Sequence, residues 1–160
     1  MSKGAVVKGQ SLSAMWNRVS GYPGGKALFS FILGRTARYT GSIGARIETL
    51  EAGRAVVTMA DKAKVRNHLN SIHAIALINL GELATGAAVM YQVDGRGRGI
   101  LKGMSMEYTK KARGTITGTC EFVVPDAPGK HDLEVEGVLT DADGDVVATA
   151  RATWRIDIFE

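Results

Sequence analysis

The sequence predicts an α+β fold in which an antiparallel sheet wraps around a long central helix, with further helices at its amino-terminal end. Three observations carry the prediction. The segment from Ile72 to Tyr91 is apolar nearly all round, as in a helix enclosed by protein. Runs of alternating apolar and polar residues lie on both sides of it, two before and four after. These strands are not separated by a helix each, which disfavours a parallel doubly wound sheet. With 160 residues, 45% apolar and 22% charged, the chain can bury a core. It reads as one domain, 1–160, with a helical segment at 1–40 and the core at 41–157.

In order, Ser11 is a helix N-cap, and Leu12, Met15, Trp16 and Val19 recur at i, i+3, i+4, i+7. Gly21-Tyr22-Pro23-Gly24-Gly25 breaks that helix, and a second follows through Leu28, Phe29, Phe31, Ile32 and Leu33, with Arg35 and Arg38 at its end. From Gly41 the period becomes two. Glu51-Ala52-Gly53 is a turn, and Arg54 to Lys64 is the returning strand. Residues 65–71 lead into the apolar helix, whose Gly81, Ala84, Gly86, Ala87 and Ala88 would let a sheet approach closely. Residues 94–99 form a flexible basic loop. Strands follow near 100–110, 115–124, 132–140 and 146–157, the last two joined at 141–145.

The run from Ile72 to Met90 has membrane length but carries His73, Asn79 and Glu82. A carboxylate at a bilayer centre costs roughly 2.5–3.5 kcal/mol on the insertion scale, so a core helix is expected here. The first eight residues hold no apolar run of the kind a secretory signal needs. A single cysteine, Cys120, excludes a disulfide scaffold and suits a reducing compartment; a cytoplasmic protein is expected. The net charge of +4 is unevenly spread. Residues 1–66 hold 11 Lys/Arg against 3 Asp/Glu, residues 67–113 hold 6 against 3, and residues 114–160 hold 3 against 10. Such a basic excess could serve nucleic acid, an acidic membrane surface or a phosphorylated small molecule. The Gly-Arg-Gly-Arg-Gly run at 95–99 lacks interleaved aromatics, so no nucleic-acid partner is expected, and with the one membrane-length run read as a core helix no membrane partner is expected either.

Chemistry concentrates in Asn67-His68-Leu69-Asn70-Ser71-Ile72-His73 and in Glu82. A carboxylate within an apolar helix must meet a donor, a cation, water or a cavity. In a partly apolar pocket its pKa rises and it can act as a general base; the plainer alternative is a structural Glu capping backbone or pairing with an arginine. His73 and Glu82 are nine residues apart, about 180° around a helix. Either His73 belongs to the loop, or the two residues serve sites built by different subunits.

The element order, with Asn67, His73 and Glu82, resembles the hotdog-fold acyl-CoA thioesterases, in particular the phenylacetate-pathway type. That group has an Asn, then His-Gly-Gly six residues later, then an Asp or Glu nine residues after the His. Asn67, His73 and Glu82 keep both intervals, while Ala74-Ile75 stands where the glycines would be, as in a divergent branch. The layout matches over roughly residues 27–157, and the motif itself over 67–82.

The resemblance implies hydrolysis of an acyl-CoA or related thioester. Glu82 would be general base or nucleophile, Asn67 would position water or carbonyl, and His73 with the first helical N–H groups would polarise the thioester oxygen. It implies no metal and no cofactor beyond the coenzyme A of the substrate, and a homodimer or homotetramer with sites at the subunit interface. Asn70 and Ala74 would line the substrate site, as would His68 unless it is a surface loop histidine, and Arg96, Arg98 and Lys102 would suit the carrier phosphates, unless they are only a solvated basic surface. An acyl-thioester hydratase or dehydratase, or a non-catalytic hotdog protein binding an acyl ligand, is the alternative.

Weaker signals read as structure. Asp141, Asp143 and Asp145 are spaced like a calcium loop but lack its Gly and Glu positions, so a hairpin turn is expected. His131 should be exposed, Cys120 a packing residue, and Met59, Met104 and Met106 core.

Overall fold

The computed structural model describes residues 11–160; the first ten, read above for targeting, lie outside the described residues. The Ser11 hydroxyl accepts from the Ala14 N–H and caps α1 (Leu12–Val19). Gly24, at φ +77°, turns the chain into α2 (Gly25–Thr36). Trp16 and Phe29 join the two helices edge to face, their ring centroids 5.1 Å apart.

Here the structure corrects an expected boundary. Residues Arg38–Gly41 form a short helix, α3, and β1 (Arg46–Glu51) begins five residues after Gly41. The cause is a tertiary contact. A Cβ on Gly41 would lie 2.3 Å from the Gly34 carbonyl oxygen, so the close crossing of α2 and α3 sets the path. β2 (Arg54–Met59) also ends earlier than expected, because its last residue already faces the first residue of β4 (Ile116–Glu121). A 3₁₀ turn, Ala63–Val65, follows.

The central helix, α4, is Ala74–Val93 with His73 as its N-cap. It leads through a three-residue turn into β3 (Gly97–Tyr108), so the basic stretch is largely strand rather than loop. Glycine permits this, since a Cβ on Gly97 would lie 2.7 Å from the Asp157 carbonyl oxygen. β5 (Gly129–Thr140) and β6 (Val146–Ile158) complete one antiparallel sheet in the order β1-β2-β4-β5-β6-β3.

Every strand touches α4, the hotdog arrangement expected from the sequence. α4 is long and apolar enough to cross a bilayer, yet most of it is buried inside the protein. Its small residues make that possible. A Cβ on Gly81 would lie 2.8 Å from the Ala150 Cβ and 3.1 Å from the methyls of Met104 and Met106; Met59, on β2, is fully buried in the core. Asn79, buried in the same helix, donates from Nδ2 to the Tyr39 carbonyl and ties α4 to α3.

The two edges of the sheet differ. α2 covers β1, with the Ile47 N–H donating to Ser30 Oγ at 2.9 Å and Lys26 Nζ donating to the Glu48 carbonyl at 2.6 Å, where the strand bulges. Among the described residues β3 pairs only with β6, so its other side is open along twelve residues. On the outer face the acidic excess of residues 114–160 resolves into cross-strand pairs. Asp132 takes Arg155 and Lys102, which hold its carboxyl down at about 2. Asp141 accepts from the Asp143 and Asp145 N–H groups and from Lys110, giving the expected hairpin turn. His131 is half-buried rather than exposed, because Nε2 meets the Ala127 carbonyl at 2.8 Å.

Candidate functional site

Apolar side chains from four elements converge beside the middle of α4. Leu12 of α1, Leu33 of α2, Ile47 and Leu50 of β1, Trp154 of β6, and Leu83, Ala87 and Met90 of α4 line an open cavity of about 290 Å³. Glu82 is the carboxylate inside it, and Asp94 stands at its end. Burial, with no cation or donor beside it among the described residues, pushes the Glu82 carboxyl above the ordinary glutamate value. The side chain lies along the helix towards Gly86, where a Cβ would be 3.6 Å from Oε1 and 3.1 Å from Trp154 Cζ2. The indole is held in place: Nε1 donates to Thr85 Oγ1 at 3.3 Å, and that hydroxyl donates to the Gly81 carbonyl. A second cavity, about 390 Å³, adjoins under α2 and shares Leu33, Thr40, Ile47 and Leu83.

His73 belongs to the loop, as the N-cap of α4. Its Nδ1 accepts from the Ile75 N–H at 3.0 Å, which leaves the ring proton on Nε2, and the side chain is exposed. Asn67 sits in the same turn, since Arg66 bridges Ile72 and the Asn67 N–H donates to the Ser71 carbonyl. The Asn67 Oδ1 is taken by the Leu69 N–H and by the Ser71 N–H and hydroxyl, so Nδ2 is the group left to reach outward. Within one chain the structure brings Asn67 and His73 together at the mouth of α4 and puts Glu82 in the cavity farther along it.

The other candidate residues spread out. His68 is exposed in the loop. Asn70 turns it at φ +55° and binds Arg66 Nη1 through Oδ1. The Ala74 carbonyl accepts from the Tyr108 hydroxyl at 3.0 Å. Arg96 pairs with Asp126, Arg98 with Asp157, and Lys102 with Asp132, and none of the three lines the Glu82 cavity. Cys120 is fully buried, its thiol pushed up to about 12 by burial and then by Glu121.

Residues 25–156 match the sequence profile of a family described as a domain of unknown function, DUF4442. The chain belongs to that family. No curated protein matches this DUF4442 chain. Among solved structures, it is similar to the structural-genomics protein APC5556 (32% identity, TM-score 0.78, covering 92% of this chain and 98% of that one). It is also similar to PA5026 of Pseudomonas aeruginosa, a protein of unknown function described as a probable thioesterase (28% identity, TM-score 0.72, covering 82% and 95%). The thioesterase SAV0944 of Staphylococcus aureus shares the fold at 20% identity (TM-score 0.66, covering 75% and 98%).

Sequence reasoning missed two parts of this DUF4442 site. The cavity wall, Leu12, Leu33, Ile47, Leu50 and Trp154, carries no local signal, because each is only an apolar residue of its own element. Tyr108, at the end of β3, reaches the first turn of α4, a contact between two elements that no local signal marks.

Proposed function

We propose that the protein hydrolyses acyl-CoA or a related thioester, with Glu82 as general base and with Asn67 and His73 supplied by a second copy of the chain. One observation carries the reading: a carboxylate with no partner among the described residues faces an apolar cavity that can take an acyl group. Raised by burial, Glu82 is suited to taking a proton from water near neutral pH. The resulting hydroxide attacks the carbonyl carbon, and the developing oxyanion meets His73 Nε2–H, with Asn67 Nδ2 as a further donor. Collapse breaks the C–S bond, and the departing thiolate takes up the proton.

That His73 and Glu82 face different spaces in one chain is what calls for a second copy, and the open edge of β3 offers it a place to pair. Arg98, whose side chain is 72% exposed despite its Asp157 partner, is the best placed of the three named cations to exchange that partner for a phosphate. The neighbour PA5026, described as a probable thioesterase, supports the reaction class.

One observation favours the non-catalytic reading. The Ile75 N–H, at the position of a family glycine, is already spent on His73 Nδ1. Thiol release across a panel of acyl-CoAs separates the two. Turnover that Glu82→Gln lowers by about 10²–10⁴-fold supports hydrolysis. A co-purifying fatty acid without turnover supports binding alone.

A further inference from the structure

One side of α2 is buried against α1, α3 and β1, and among the described residues the other is bare and apolar. Leu28, Phe31 and Ile32 are 51%, 63% and 38% exposed and, at i, i+3 and i+4, form one stripe. Tyr22 before the helix and Tyr39 after it are 72% and 71% exposed. A contiguous apolar patch of this kind marks an interaction surface. The second cavity opens beside it, between Phe31, Gly34, Arg35 and Ala45.

Charge decides what the surface fits. Residues 1–47 contain no Asp or Glu, and the first acid in the chain is Glu48. Arg18, Arg35 and Arg38 are exposed around α2, and none of them is ion-paired among the described residues. Arg35 lies 5.9 Å over the Phe31 ring, so its cation sits within the apolar stripe itself. A nucleic acid would use the arginines but leave the aliphatic stripe in water. An anionic bilayer surface uses both.

We propose that α2 docks on a membrane surface containing anionic phospholipid, lying in the headgroup layer. Leu28, Phe31 and Ile32 face the acyl chains, Arg35 and Arg38 meet lipid phosphates, and Tyr22 and Tyr39 flank the helix at headgroup level. The expectation of no membrane partner rested on the want of a membrane span, which a helix lying in the interface does not need. This proposal does not rest on thioester hydrolysis.

The test floats the full chain with vesicles of phosphatidylcholine alone and of phosphatidylcholine mixed with phosphatidylglycerol. Binding to the anionic vesicles, weak binding to the neutral ones, and loss on raising salt are expected. Arg35→Gln with Arg38→Gln should lower partitioning by about thirtyfold, at about 1 kcal/mol for each cation near the surface. Leu28→Asp with Ile32→Asp should abolish it, and the milder Leu28→Ser serves if that pair fails to fold. Equal binding to both vesicle types, no binding to either, or binding indifferent to these substitutions overturns the proposal. So does a drop in the solution mass of the protein on Leu28→Ser, which would mean that a second copy covers this face.

Discussion

Glu82 lies within α4 and His73 caps it from the loop, and the two face different spaces: the carboxylate lines the cavity beneath Trp154, while the imidazole stands exposed at the N-cap. Nine residues of α-helix separate them by about 13 Å along the axis. A water held by one cannot attack a carbonyl polarised by the other in the same chain. The proposed reaction therefore needs two copies, each giving what the other lacks.

Mixing inactive subunits tests this sharing. Glu82→Gln protein and His73→Ala protein should each be inactive. Unfolded and refolded together, they should regain about a quarter of wild-type activity, because random two-fold pairing gives half heterodimers, each with one intact site. A mixture as inactive as its parents would remove the shared site.

The Glu82 carboxyl also makes stability depend on pH in a stated direction. Its folded pKa is raised by burial above the unfolded value near 4.3, so over that interval the folded state holds the proton more tightly. Stability then falls as pH rises from the unfolded pKa through the folded one, and above both the buried charge is a standing cost. Glu82→Gln should melt a few degrees higher than wild type at pH 7 and equal to it below pH 4. A variant that melts lower at pH 7 would mean that the carboxylate has a stabilising partner.

How much of this was legible in the sequence depends on whether the signal was local. α4 and the four strands after it were readable because each carries its own period, and Glu82 stood out as a lone charge in an apolar helix. α3 was not readable: the contact between Gly34 and Gly41 that forms it joins two elements, and the alternation of Ile43, Ala45 and Ile47 pointed to a strand starting at Gly41. Asn67 was legible as a motif position, but not that its Oδ1 is consumed by its own loop. The cavity wall was hidden for the same reason as α3, since topology alone brings Leu12 and Trp154 to one place.

Close packing of α4 on the sheet sets a limit at Gly81. Replacing a helical glycine by alanine gains about 1 kcal/mol in propensity. Here the new Cβ would lie 2.8 Å from the Ala150 Cβ, an atom fixed by the β6 backbone. Overpacking of this kind costs about 1–3 kcal/mol, so Gly81→Ala should destabilise on balance despite the propensity gain. Chemical denaturation should show a lower midpoint at unchanged slope. A more stable variant would show that the sheet yields freely.

Asp94 fastens α1 over the mouth of the cavity. Its Oδ2 accepts from the Ser13 N–H at 2.8 Å, from the Ser13 hydroxyl at 2.7 Å and from the Ser11 hydroxyl, which places a negative charge at the helix N-terminus. Burial works to raise this carboxyl, but the bonds from Ser11 and Ser13 together outweigh it and hold the pKa below the ordinary aspartate value. The folded pKa is thus depressed, and the stability it confers is complete above the unfolded value near 3.9 and fades as pH falls through the folded one. Because the contact is local, the loss should appear as opening of α1 rather than global unfolding. Asp94→Asn should lower hydrogen-exchange protection in residues 12–19 by about tenfold at pH 7, the effect of weakening charge-assisted bonds, with α4 still protected. Acidifying wild-type protein below pH 4 should reproduce the opening, and acidifying the variant should add little. Protection in α1 that is indifferent to both changes would assign its docking to Trp16 and Phe29 alone.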